Sequence, residues 1–227
     1  MKKITLLIFA SLIAYSLQAQ FGVTAAYSIP QVKFDANNGN TDLVWDADLE
    51  FSVNYWFRLE KKRIEFLPSL SYARYQYSEG YSTIFNEGDW NLLNVGFQFH
   101  TRIYPFDFDT DCNCPTFGKQ GPALDKGFFV QISPGLSYFR DRTTPLDDGG
   151  DQSPLTEDGF LPTLGLAIGL DFGLSNLVTL TPIAGARYAF GDLPESQPNA
   201  LAATRNGDFW NLFAGLSLGV RLDEKRY

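Results

Sequence analysis

His100 is the sole histidine of this 227-residue chain, so any serine–histidine–acid hydrolysis would have to run through it. In an alternating segment it falls on the same parity as Arg102, toward the interior of whatever sheet holds both. A lipid-modifying hydrolase needs its catalytic group near the outer leaflet or facing lipid, and no G-x-S-x-G elbow accompanies it. His100 therefore reads as a member of a buried polar network. Cys112 and Cys114 form a C-x-C pair, read first as a disulfide in an oxidising compartment. One intervening residue makes a tight ring, and unpaired thiols or a metal or redox role stay open as alternatives. No C-x-x-C motif or further zinc ligand stands nearby. Asp107, Asp109 and Asp111 open like a calcium loop, but Cys112 replaces the glycine needed next and no terminal glutamate follows, so a solvated acidic turn is the reading. No cofactor motif appears, and none is expected.

Charges at alternate positions form the second constellation. Asp46, Asp48, Glu50 and Arg58 share one parity of the segment 43–59, and Glu65, His100, Arg102, Asp171, Arg187 and Arg221 come from other segments. If these face a narrow interior they must pair, because an isolated buried charge costs several kcal/mol. A salt-bridge network filling the interior is expected. A gated ion path or a ligand site is the sharper alternative.

The elements that position these groups are strands. Trp210, Leu212, Ala214, Leu216, Leu218, Val220 and Leu222 occupy one parity, with Asn211, Phe213, Gly215, Ser217, Gly219 and Arg221 on the other. Period two puts successive side chains on opposite faces. Seven further segments alternate, giving strands over 21–34, 43–59, 63–77, 89–105, 127–141, 159–173, 176–190 and 208–222. Volume decides which face is inside. An eight-stranded barrel has an interior just wide enough for side chains. The bulky row Leu43, Trp45, Ala47, Leu49, Phe51, Val53, Tyr55, Phe57 and Leu59 must point out, and Gly165, Ala167, Gly169, Gly215, Ser217 and Gly219 point in. Aromatic girdles follow at the two interfaces: Trp45, Tyr188 and Trp210 at the loop ends, Phe57, Phe128 and Phe172 at the turn ends. Pro30, Pro68, Pro134, Pro162 and Pro182 fall within these strands and cannot donate to a ladder, so bulges or strand ends are expected there.

Connections alternate too. Segments 35–42, 78–88, 142–158 and 191–207 are long and rich in turn residues, while Glu60-Lys61-Lys62 and Ser175-Asn176 are tight. Short periplasmic turns and long external loops are the outer-membrane pattern. Asp107–Lys126 breaks it, being long yet on the turn side. It is either a periplasmic feature or the mark of a miscounted hairpin. Residues 1–19 read as a signal peptide, with Lys2 and Lys3 before the apolar run Ile4–Tyr15 and cleavage before Gln20. Its removal takes away two lysines and no acid, leaving a net charge of −10, which excludes nucleic acid as a partner. No later run of ~18 apolar residues could cross a membrane as a helix.

These features together read as an all-β protein: residues 20–227 form an eight-stranded antiparallel transmembrane β-barrel in the outer membrane, with both termini periplasmic. The chain resembles small outer-membrane barrel proteins. It is more closely similar to the short barrel-only proteins of Bacteroidota that include PorT-like proteins. The likeness is carried by Gln20 after Leu17-Gln18-Ala19 and by Asp111-Cys112-Asn113-Cys114-Pro115-Thr116-Phe117 before Lys126-Gly127-Phe128-Phe129. One departure is that Asp223-Glu224-Lys225-Arg226 intervenes between the last strand and Tyr227. The resemblance implies a non-catalytic structural, surface-interaction or accessory role in a larger envelope complex, of which secretion is one setting, with outer-membrane lipids and lipopolysaccharide as surroundings. A small channel is the alternative, and a lipid-modifying enzyme a weaker one.

Overall fold

In hydrocarbon every backbone N–H and C=O needs an internal partner, so strands can cross only as a sheet closed on itself. The computed structural model describes residues 20–36, 39–44, 48–59, 62–76, 87–108, 123–145, 155–175, 177–191, 193 and 208–221. Its strand segments are β1 (Gln20–Ala36), β2 (Gly39–Val44), β3 (Asp48–Arg58), β4 (Ile64–Gln76), β5 (Glu87–Ile103), β6 (Phe128–Pro145), β7 (Leu155–Leu170), β8 (Phe172–Gly173), β9 (Val178–Ala189) and β10 (Asp208–Arg221). A single turn of helix, α1 (Ala123–Gly127), precedes β6. β2 and β3 pair with the same edge of β1, and β7 and β8 both pair with β9, so the segments make eight staves. All pairs are antiparallel. β10 returns to β1, from Gln20 opposite Arg221 to Lys33 opposite Asp208, and closes the barrel.

The pleat sorts the side chains as volume requires. Leu166, Ile168, Leu216 and Val53 are each more than half exposed on the outer wall. Their neighbours Ala167, Ser217 and Asn54 are buried within. The expectation for strand two needs one correction. Gln31 faces Val44 and Ser28 faces Asp48, so three steps along β1 match four along its partner. This one-residue shift means that Leu43 and Leu49 do not belong to one uninterrupted alternation. Strands β6 and β7 also run further than expected, to Pro145 and from Leu155, into the segment read as a loop.

Three of the five prolines are accommodated by a rule simpler than bulging. In an antiparallel barrel each residue bonds to one neighbouring strand only, so a proline spoils one side and leaves the other intact. Pro68 keeps its ladder to β5, while pairing with β3 lapses between Asn54–Ser69 and Phe57–Phe66. Pro134 keeps its ladder to β7, and pairing with β5 lapses between Gln98–Gly135 and Thr101–Ile132. Pro182 stays paired to β10, while β7 gives way to β8 opposite it. In all three the register resumes unchanged, so no bulge forms. Only Pro30 coincides with a register shift, and Pro162 lies at the end of the β7–β9 pairing, its carbonyl accepting from Phe190 N.

The barrel lumen as candidate functional site

Three tiers fill the interior. At the end carrying the long loops, Tyr75, Leu92, Phe139, Leu161 and Phe209 pack with Ala73 and Ala189 into an apolar plug. The rings of Phe139 and Phe209 meet edge to face at 5.0 Å. Beneath it Ser28 Oγ donates to Asn211 Oδ1 at 2.6 Å, and Asn211 Nδ2 donates to the Tyr75 hydroxyl at 3.1 Å. The Ser28 and Tyr75 hydroxyls close the triangle at 3.0 Å.

The middle tier is ionic. Arg187 on β9 donates to both oxygens of Glu50 on β3, at 2.9 and 3.1 Å, between staves separated by β10 and β1. A planar guanidinium on a carboxylate fork is the strong form of such a pair. His100 Nδ1 lies 2.8 Å from Ser133 Oγ, which also accepts from Gln131 Nε2 at 3.1 Å. Gln131 Oε1 in turn accepts from Arg102 Nε at 2.8 Å. The His100–Ser133 contact bridges β5 and β6 where the Pro134 lapse leaves their backbones unladdered. By distance these two residues form a serine–histidine pair; Arg102, Arg187 and Glu50 line the same cavity, but Glu50 is held by Arg187, so no carboxylate among the described residues orients the ring as a base.

The third tier closes the end that holds both chain termini of the barrel. The Tyr104 hydroxyl lies between Glu65 Oε2 at 2.7 Å and Asp171 Oδ2 at 2.6 Å, able to donate to either. Thr181 Oγ1 donates to Asp171 Oδ1, spanning the gap in the ladder opposite Pro182. Arg102 stacks on the Phe129 ring at 4.4 Å and stands 4.0 Å from Asp171. Below them the buried Arg63 donates to Asp107 and stacks over Tyr104 at 4.4 Å. Residues 104–108 fold back on Arg63, whose N–H donates to Phe108 O at 3.2 Å. At the far side of the same connection Asp171 N donates to Gly127 O at 2.9 Å. Both described ends of the long Asp107–Lys126 segment therefore seat on the barrel mouth, and β5 pairs directly with β6, so the connection adds no stave between them.

Glycines make the room. A Cβ on Gly169 would lie 2.3 Å from the tip of the Phe129 ring, and one on Gly22 would lie 2.6 Å from Asn54 Oδ1. Among the described residues the lumen keeps small cavities, one of about 40 Å³ beside Glu65, Arg102 and Ser217 and one of about 30 Å³ beside Glu50, His100 and Arg187. Each is room for a few waters.

Of the expected lumen charges, Glu50, Glu65, Arg102, Asp171 and Arg187 are buried and His100 is half-buried. The backbones of Arg58 and Arg221 lie in β3 and β10, while their side chains, like Asp46, lie outside the described residues. Asp48 does not join the network; its carboxylate accepts locally from Leu49 N at 2.6 Å. Cys112, Cys114, Asp109 and Asp111 lie outside the described residues, and Asp107 is engaged by Arg63. Among the described residues no group of three acids, histidines or cysteines could hold a metal.

Of the expected girdle, Tyr188 and Trp210 pack at 4.8 Å near the loop end. Phe57 lies at the other end in a run of rings with Tyr55, Phe66 and Phe99. Phe128 packs on Phe106 at 5.5 Å, Phe172 is partly exposed, and Trp45 lies outside the described residues. Sequence reasoning misses the apolar plug and Arg63. The plug's signal is present as bulky residues on the inward parity, at Tyr75, Leu92, Phe139 and Phe209. Arg63 shares the inward parity of Glu65 at the start of the segment 63–77.

No family model and no curated protein matches the chain. Several solved structures do. Neisserial surface protein A is 18% identical, with 88% of this chain and 96% of that one covered and a TM-score of 0.47. The Yersinia pestis attachment invasion locus protein Ail is 10% identical, with 89% and 99% covered and a TM-score of 0.45. A major outer membrane protein of Thermus thermophilus is 13% identical, with 87% and 99% covered and a TM-score of 0.48. The decision lies in the barrel itself. A closed antiparallel sheet with an apolar outer wall is an outer-membrane barrel. Its lumen holds a network of buried polar and charged side chains.

Proposed function

We propose that the chain, with residues 1–19 removed as a signal, is a non-catalytic, non-conducting outer-membrane barrel that acts by presenting surfaces. The observation that carries this is the filling of the lumen in three tiers, apolar, ionic and capped. A lumen used for packing leaves the long loops, the Asp107–Lys126 segment and the outer wall as the places for contact. The half-buried His100 bonds Ser133 beside Arg102 and an Arg187 that already holds Glu50, which suits a structural hydrogen bond better than a nucleophile. An accessory role in an envelope complex, tied to secretion, follows from the resemblance to PorT-like proteins, and the termini then face the periplasm. Mild-detergent extraction of envelopes followed by native electrophoresis tests this. The reading expects a discrete assembly larger than the barrel, altered when the Asp107–Lys126 segment is replaced by a short turn. Migration as a free barrel whatever the connection would overturn it.

A further inference from the structure

Above the apolar belt on one sector of the outer wall, the strand register gathers three arginines. Arg74 on β4 faces Leu93 on β5, Leu93 faces Arg140 on β6, and Arg140 faces Asp158 on β7. Arg142, two residues further along β6, faces Asn91. All three arginines are exposed. One step down the strands the corresponding row is Tyr72, Val95, Tyr138 and Phe160, with Tyr138 and Phe160 rings 5.1 Å apart. Tyrosines with one end apolar and one end wet mark the level where hydrocarbon gives way to head groups. The arginines thus stand on the lipid-facing wall at head-group height.

Two of the three have no acidic partner among the described residues. Arg74 donates to the neutral Asn91 Oδ1 at 3.1 Å. Arg140 forms an ion pair with Asp158 Oδ2 at 3.8 Å, an oxygen that also accepts from the Tyr138 hydroxyl at 2.5 Å, and its guanidinium lies 5.6 Å from the Tyr138 ring. Arg142 has no partner among the described residues. A chain of net charge −8 carries here a local excess of cations. Adjacent strands are ~4.8 Å apart, so Arg74 and Arg140 are rooted ~10 Å from each other with Leu93 between them. Long guanidinium side chains from those roots can converge over Leu93, and their fork suits phosphate oxygens.

We propose that Arg74, Arg140 and Arg142 form a docking site for the phosphorylated head group of lipid A, with acyl chains lying against the wall below. It rests on the membrane-barrel reading and on the long loops facing outward. A protein partner would not explain why the cations sit directly above an aromatic row on a wall that meets lipid.

Purified barrel in detergent, titrated with diphosphoryl lipid A and observed by native mass spectrometry, tests it. Wild type should retain the lipid. The variant Arg74→Gln/Arg140→Gln/Arg142→Gln should bind about tenfold or more weakly, as loss of charge-assisted hydrogen bonds implies. Dephosphorylated lipid A should bind wild type no better than it binds the variant. Heat-dependent gel mobility reports whether each protein is a closed barrel. Equal retention by a closed variant, or equal binding of the dephosphorylated lipid, overturns the site and leaves the barrel reading standing. A protein that folds without detergent or lipid overturns both.

Discussion

Arg187 on β9 holds both carboxylate oxygens of Glu50 on β3, so a single ion pair spans the lumen between staves that are not neighbours. Removing one member strands the other as a buried, unpaired charge. Arg187→Leu or Glu50→Leu should each cost about 3–5 kcal/mol, whereas the double replacement should cost much less than their sum. Urea titration of the barrel in lipid vesicles measures this. Additive single costs would show that the pair does not couple.

Gly169 and Gly219 both face the lumen but meet different surroundings. A Cβ on Gly169 collides with Phe129, the ring that supports Arg102, while on Gly219 the nearest atom is Thr179 O at 3.9 Å. Gly169→Ala should destabilise by about 1–3 kcal/mol through overpacking. Gly219→Ala should be neutral or stabilising by up to about 1 kcal/mol. The same unfolding measurement ranks them, and the reverse order would place Phe129 elsewhere.

Leu166 and Leu216 lie on the outer wall, 57% and 54% exposed. Arginine at either should cost about 2–4 kcal/mol in a bilayer if it sits near mid-membrane. Folding of Leu166→Arg as efficient as wild type would reverse the inside–outside assignment.

Alternation makes the staves and their faces legible because lipid and lumen impose opposite demands on adjacent residues. Leu212 to Leu222 can be read that way without structure. Alternation does not report height along the barrel, so it does not show that Tyr75, Leu92, Phe139 and Phe209 converge into one plug. Nor can it pair Glu50 with Arg187, since partners across a lumen leave no local trace. The prolines mislead a sequence reading because their cost looks like a disturbance of the whole strand; at Pro68, Pro134 and Pro182 it falls on one neighbour only. Parity places Arg63 inward with Glu65, but not its partner, because that depends on residues 104–108 folding back across the mouth.

Cys112 and Cys114 are expected to be oxidised and on the same side as the termini, the compartment where disulfides persist. After reduction in intact cells, a thiol reagent unable to cross the outer membrane should leave both unlabelled until the membrane is breached. Labelling in intact cells would put the Asp107–Lys126 segment outside.

Conductance in planar bilayers bears most directly on the filled lumen. A side-chain-filled eight-stranded interior has no continuous water path. Purified barrel, shown to be closed by its heat-dependent mobility, should insert and give no sustained current at any holding potential. A stable open channel from the wild-type protein would contradict the three-tier lumen and the sealed, surface-presenting function built on it.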